Sequence, residues 1–194
     1  MTVAADEWLE NGWLAAVDRK ESPNFGERPI DAEVSLIVVH NISLPPGEFG
    51  GNWVEDFFLN RLDAAVHPYF AEISGLEVSA HFYVRRDGRI VQFVGCDLRA
   101  WHAGRSQWRG CENCNDYSVG IELEGCDDRP FEAAQYAALV RLIDALRRRY
   151  PIAAIAGHSE IAPGRKTDPG DAFDWAFVAG RYPGLRPAAG LSDR

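Results

Sequence analysis

Val34-Ser35-Leu36-Ile37-Val38-Val39 is a near-continuous apolar run, rich in β-branched residues, and it is closed by His40. Branched side chains fit a pleated surface well. A run apolar on both faces must be covered on both, so it predicts a buried sheet strand. A histidine at the end of such a strand stands where sites form in sheet proteins that also carry helices.

A second strand is expected over Ser118–Gly125. Val119, Ile121 and Leu123 take one face, and Gly120, Glu122 and Glu124 take the other. A strand this apolar on one face should be central, so carboxylates on its second face need a reason. They either pair with nearby arginines or serve proton transfer to a metal-activated water. Periodicity leaves both readings open.

The remaining elements can be placed around these two. Ser79–Val84 and Ile90–Val94 read as a hairpin turned by Arg86-Asp87-Gly88-Arg89. Ile152–Ala156 is a last short strand leading to His158. Asn52–Leu59 and Asp174–Ala179 read as short helices, and another short segment starts at His67. One long helix is expected from Pro130, with Tyr136, Leu139, Val140, Ile143, Leu146 and Tyr150 at helical spacing and Pro151 as its stop. Trp8-Leu9 and Trp13-Leu14 are expected to tuck an N-terminal segment against the body of the domain. With 194 residues, the expectation is a single α/β (α+β) domain over 1–182 and a loose Pro/Gly/Ala-rich tail over 183–194.

Charge narrows the partners. The net charge of −9 makes nucleic acid and anionic membrane poor partners. Locally the balance differs: Arg85, Arg86, Arg89, Arg99, Arg105 and Arg109 face only Asp87 and Asp97 in that stretch. This band either receives an anionic ligand or is a solvated face. No run approaches the ~20 apolar residues of a membrane span. The first ten residues carry Asp6, Glu7 and Glu10 with no basic start before an apolar core, so a cytosolic protein is expected. Cys96, Cys111, Cys114 and Cys126 are then expected as thiols. No obligate protein partner is evident.

Chemistry concentrates in Gly157–Gly170. His158 closes an apolar run, and Asp168 follows ten residues later, before Pro169-Gly170. Between them lies Lys166, which with Lys20 makes up all the lysine in a chain whose other basic residues are arginine. Lysine offers a compact charge where arginine offers a planar fork. A catalytic zinc takes three protein ligands and leaves one position for water. His40, His158 and Asp168 can supply such a set. The rival is Cys111-x2-Cys114 with Cys96, Cys126 or His102. His67 and His81 fit structural roles better, and His102 beside Trp101 can touch a substrate.

The strings VVHNISLPPGEFGG (38–51), HPYFAEI (67–73), VSAHFYVRRDGRIVQFV (78–94), RAWHAG (99–104), CNDYSVGIELEG (114–125) and GHSEIAPGRKTDPG (157–170) resemble the type 2 zinc N-acetylmuramoyl-L-alanine amidases. Within that class they are similar to the AmpD-type cytoplasmic group of cell-wall recycling. The resemblance runs from about Gly12 to Trp175. It implies a mixed central β-sheet with helices packed on it, shared with peptidoglycan recognition proteins. It implies one Zn2+ held by His40, His158 and Asp168, with Glu122 as catalytic carboxylate and Lys166 steadying the oxyanion. Asn41, Ala100 and Trp101 fall where the family holds substrate. The implied reaction is hydrolysis of the amide between the lactyl group of (1,6-anhydro-)N-acetylmuramic acid and L-alanine in a small soluble muropeptide. Glu77 and Asn113 stand where some members carry basic residues that hold the anionic peptide. Two alternatives remain: a non-catalytic muropeptide-binding module, and an amidase acting on intact murein.

Overall fold

The computed structural model describes residues 8–186. Six strands form the main sheet: β1 (Asp18–Arg19), β2 (Leu36–Ile42), β3 (Phe82–Val84), β4 (Ile90–Gln92), β5 (Ser118–Glu124) and β6 (Ala154–Gly157). Their spatial order is β6-β2-β5-β3-β4-β1. β6, β2, β5 and β3 are parallel, and β4 returns antiparallel to β3. The sheet is therefore mixed, and β5 is central, as its alternation predicts. All seven residues of β5 are buried.

Among the described residues, five α-helices accompany the sheet: α1 (Trp53–Phe58), α2 (Pro68–Ile73), α3 (Ala133–Arg149), α4 (His158–Ile161) and α5 (Trp175–Arg181). Ile37 and Val39 of β2, Val119, Ile121 and Leu123 of β5, and Ile155 of β6 pack with Leu139, Leu142, Ile143 and Leu146 of α3. Covering each of these side chains contributes roughly 1.5–3 kcal/mol. Tyr83 and Val91, which point the other way, pack with Phe57, Phe58 and Phe70 of α1 and α2. The sheet is thus covered on both faces. On β2 the second face is covered by Ala103, Cys114 and Ile161, which pack with Leu36 and Val38, and that is why the run at 34–39 carries no polar stripe.

The structure moves several boundaries; the strand expected from Ser79 starts only at Phe82, and the one expected over Ile152–Ala156 is Ala154–Gly157. His40 is not the strand end, because β2 continues to Ile42 opposite Glu124. Pro130 does not open the long helix, which begins at Ala133. Its start is fixed by Gln135, fully buried, whose Oε1 accepts from the Glu132 N–H at 3.0 Å. Gln135 Nε2 donates to the carbonyls of Val84 and Glu124, tying the first turn to the sheet. The second strand of the hairpin stops at Gln92, whose side chain turns to the N-terminal segment and accepts from Leu14 N at 2.8 Å. That segment is an antiparallel pair, Trp8–Leu9 with Trp13–Leu14. Gly12 between them has φ +74°, and a Cβ there would lie 2.7 Å from the Cys96 nitrogen.

Of the expected tail, residues 187–194 lie outside the described residues, as do residues 1–7. Its described start is docked. The Leu185 carbonyl accepts from Ile155 N at 3.0 Å, and Arg186 lies 3.7 Å over the Trp175 ring.

Candidate metal and catalytic site

Strand alternation builds the site. On β2, Leu36, Val38 and His40 point away from α3; on β5, Ser118, Gly120 and Glu122 do the same. The parallel register sets Glu122 beside His40. β6 ends at Gly157 and α4 starts at His158, which brings the second histidine to the same end of the sheet. The loop after α4 folds back, with Ser159 N donating to the Asp168 carbonyl at 2.9 Å.

His40 Nδ1 lies 3.0 Å from His158 Nδ1, and each is 3.1 Å from Asp168 Oδ2. Both histidines are buried, and Asp168 is partly so. The donor chemistry tests whether a cation belongs here. His158 Nε2 lies 3.1 Å from the Ala103 carbonyl. A carbonyl only accepts, so Nε2 carries the proton and Nδ1 keeps its lone pair. A bare imidazole nitrogen and a carboxylate oxygen this close need a positive charge between them, either a proton or a metal ion. Among the described residues, His40, His158 and Asp168 form the one cluster of this kind. Two nitrogens and a carboxylate oxygen fit zinc.

Electrostatics agree. Burial, then the neighbouring His158, pushes the His40 imidazole down to about 4. Burial alone would raise Asp168, but hydrogen bonds to His158 and His40 outweigh it and hold the carboxyl well below the usual range. Glu122 behaves in the opposite way. Burial, then the Asp168 charge, pushes its carboxyl well above the ordinary range, with Lys166 pulling the other way. Its Oε1 stands 3.9 Å from His40 Nδ1, and its buried Oε2 has no hydrogen-bond partner among the described residues. A buried unsatisfied oxygen is costly, and this one belongs to the carboxyl whose other oxygen stands beside His40.

A cavity of about 660 Å³ opens over these groups, lined by Asn41, Tyr69, Trp101, Glu122, Lys166 and Asp168 among others. That volume suits a small-molecule ligand. Asn41 Nδ2 donates to Asp127 Oδ1 at 2.7 Å and to the Pro169 carbonyl at 3.0 Å. Its hydrogens thus hold the loop next to Asp168, and its oxygen remains to accept. Ala100 is not brought to the cavity. It is fully buried in the core around α1 and α2, and its neighbour Trp101 lines the cavity instead.

Other candidates separate from the site. His67 caps α2, accepting from Tyr69 N at 3.1 Å. His81 is buried and accepts from Gly120 N at 3.0 Å. All four cysteines are free; Cys111 is exposed, while Cys114 is buried 3.3 Å from the Tyr117 hydroxyl. The arginine band is largely neutralised: Arg85 meets Glu55 at 2.7 Å, and Arg99 meets Asp116 at 2.6 Å. Arg86 meets Glu132, and Arg89 lies near Asp18 and Glu55. Sequence reasoning missed the roles of Asp127 and of His102, whose Nδ1 lies 2.9 Å from His40 Nε2. Gly120 was the available signal, since a strand-interior glycine marks a close approach.

The N-acetylmuramoyl-L-alanine amidase family model matches residues 30–171. The 1,6-anhydro-N-acetylmuramyl-L-alanine amidase AmpD of Citrobacter freundii is 56% identical over 170 residues, covering 87% of this chain and 91% of that protein. A crystal structure of an AmpD derivative superposes with TM-score 0.86 at 55% identity, covering 89% of this chain and 97% of that one. The E. coli amidase AmiD, solved with anhydro-N-acetylmuramic acid-L-Ala-D-γ-Glu-L-Lys, aligns with TM-score 0.58 at 29% identity, covering 81% and 65%.

Proposed function

The chain belongs to the N-acetylmuramoyl-L-alanine amidase family, and on that premise we propose that it is a zinc-dependent 1,6-anhydro-muropeptide amidase of cytoplasmic cell-wall recycling. The bond cut is the amide between the lactyl carbonyl of the anhydro-muramic sugar and the nitrogen of L-alanine. The observation that carries this reading is the buried Glu122 carboxyl, whose Oε1 stands 3.9 Å from His40 Nδ1, whose proton affinity burial and the Asp168 charge raise, and whose Oε2 has no partner among the described residues. A carboxyl whose affinity for protons is raised by burial suits a group that must take a proton and return it. The identity to AmpD supports the anhydro sugar, and the AmiD complex supports a soluble peptide-bearing substrate. No helix among the described residues is long and apolar enough to cross a membrane.

His40, His158 and Asp168 would hold the metal. Zinc there would supply Lewis acidity toward the scissile carbonyl and lower the pKa of a water toward ~7. Glu122 takes the proton from the attacking water. As the C–N bond breaks, it delivers that proton to the departing alanine nitrogen. The Lys166 ammonium, in the wall of the same cavity, faces the oxyanion that develops on the former carbonyl. Asn41 keeps the Asp168–Pro169 stretch in place and presents its carbonyl oxygen to the substrate. Trp101 offers an apolar surface to the sugar. The products are a sugar carrying a lactyl carboxylate and a peptide with a free α-amine. The catalytic unit is taken as residues 1–182.

The test is turnover of a soluble 1,6-anhydro-N-acetylmuramyl peptide against intact sacculi by the zinc-loaded protein, with products read by mass spectrometry. Faster release from the soluble substrate is expected. No release from it would leave only a binding module, and preference for sacculi would overturn the recycling role.

A further inference from the structure

His40 turns one ring nitrogen toward Asp168 and the other toward His102. The contacts beyond His102 decide where the protons lie. Ser118 Oγ is 2.5 Å from the Cys114 carbonyl and 3.1 Å from His102 Nε2. The carbonyl can only accept, so the Ser118 hydroxyl donates to it. That uses the one hydroxyl proton, and Oγ must accept from His102 Nε2–H. His102 Nδ1 is then the bare nitrogen, and at 2.9 Å it accepts from His40 Nε2–H. His40 Nδ1, the nitrogen facing Asp168 and His158, is left with its lone pair.

We propose that His102 is a positioning residue of the metal centre: with Ser118 it relays the acceptor character of the Cys114 carbonyl to His40 and fixes the tautomer that presents Nδ1 to the metal. The inference rests on the metal reading above. His158 reaches the same tautomer by a shorter route, through the Ala103 carbonyl. The two ligands are thus set by two backbone carbonyls, one directly and one through a serine and a histidine.

The space for the relay is built into β5. The His102 ring lies over Gly120, where a Cβ would come within 2.5 Å of the ring carbon Cγ. Gly120 N and O are both bonded to His81, so the strand cannot shift easily to make room. The His102 backbone is held from the other side, its N–H and that of Ala103 donating to Asn115 Oδ1 at 3.2 and 2.8 Å. An outer partner that orients a metal-binding imidazole is commonly worth 10–100-fold in metal affinity.

The experiment measures zinc affinity of the metal-stripped protein by competition with a chromophoric chelator, alongside circular dichroism to establish folding. His102→Leu keeps bulk but has no acceptor, and zinc should bind about 10–100-fold more weakly. His102→Asn places an acceptor oxygen where Nδ1 stands, and affinity should return to within a few-fold of wild type. Ser118→Ala leaves every group around the metal in place and should weaken zinc by a smaller factor. It also keeps the question open to test if His102→Leu does not fold. In the zinc-loaded protein, the ring N–H resonance of His40 should move upfield in the leucine variant and not in the asparagine one. Wild-type affinity in folded His102→Leu, or equal losses in the leucine and asparagine variants, would overturn the proposal; so would unchanged affinity in Ser118→Ala. If wild type itself takes up no zinc, the metal reading fails and this inference falls with it.

Discussion

Glu122 and Glu124 sit two residues apart on one face of β5, yet they do different things. Glu124 accepts from Gly50 N at 2.5 Å and Arg86 N at 2.9 Å, and so fastens two loops. Glu122 instead stands 3.9 Å from His40 Nδ1, and its Oε2 has no partner among the described residues. Glu122→Gln is expected to bind zinc like wild type and lose about 10²–10⁴-fold in turnover. Wild-type turnover in that variant would remove the general-base assignment. Asp168→Ala takes away the charge that two buried imidazoles surround, and it should release zinc on dialysis; retained stoichiometric metal with activity would show that Asp168 is not a ligand. At Lys166, arginine keeps the charge but replaces a point donor by a fork. Lys166→Arg should therefore turn over much more slowly, and Lys166→Ala should add roughly 3–4 kcal/mol to the barrier. Equal rates across the three proteins would end the oxyanion role.

At the scale of elements, α3 and the site lie on opposite faces of β2 and β5. Stability and catalysis should therefore separate. Leu142 is 1% exposed in the α3 interface, and Leu142→Ala is expected to cost about 2–5 kcal/mol in urea unfolding. Activity per folded molecule should be unchanged. A variant that stays stable but loses turnover would show that α3 sets the site geometry through the sheet. The sheet itself explains why the proposed catalytic groups meet: one parallel register sets Glu122, the proposed base, opposite His40, a proposed ligand.

Across the whole molecule, buried histidines tie stability to pH. Burial, then the charge of Arg28, pushes His81 down to about 3. In the unfolded chain the same ring takes a proton near 6.5. Between those values the unfolded state binds more protons, so stability is fully present above pH 6.5 and falls as pH drops toward 3. This residue contributes on the order of 3–5 kcal/mol of that loss. His40, pushed to about 4 in the metal-free protein, adds a loss of the same sign. Urea titrations of metal-free protein from pH 7 to pH 4 should show the midpoint falling steadily, and the slope should lessen in His81→Gln. A flat profile would mean that these rings are protonated in the folded state.

Short-range pattern determined a great deal by itself. The apolar run at 34–39, the alternation at 118–125 and the helical spacing after 133 were legible because burial writes itself into residue order. The string around Gly157–Gly170 also carried a histidine, a lysine and an aspartate within one loop. What order could not say was which atoms meet. His40 and His158 are 118 positions apart, and only parallel pairing of β6 and β5 on β2 brings them together. The start of α3 followed Gln135, whose partners come from two other strands, rather than the nearby Pro130. Ala100 and Trp101 are adjacent in sequence, yet one lies in the core and the other in the cavity wall. The proton order running from the Cys114 carbonyl to His40 needed four groups from three separate stretches. Hydrogen-bond direction is a property of partners in space, and only the tertiary structure supplies them.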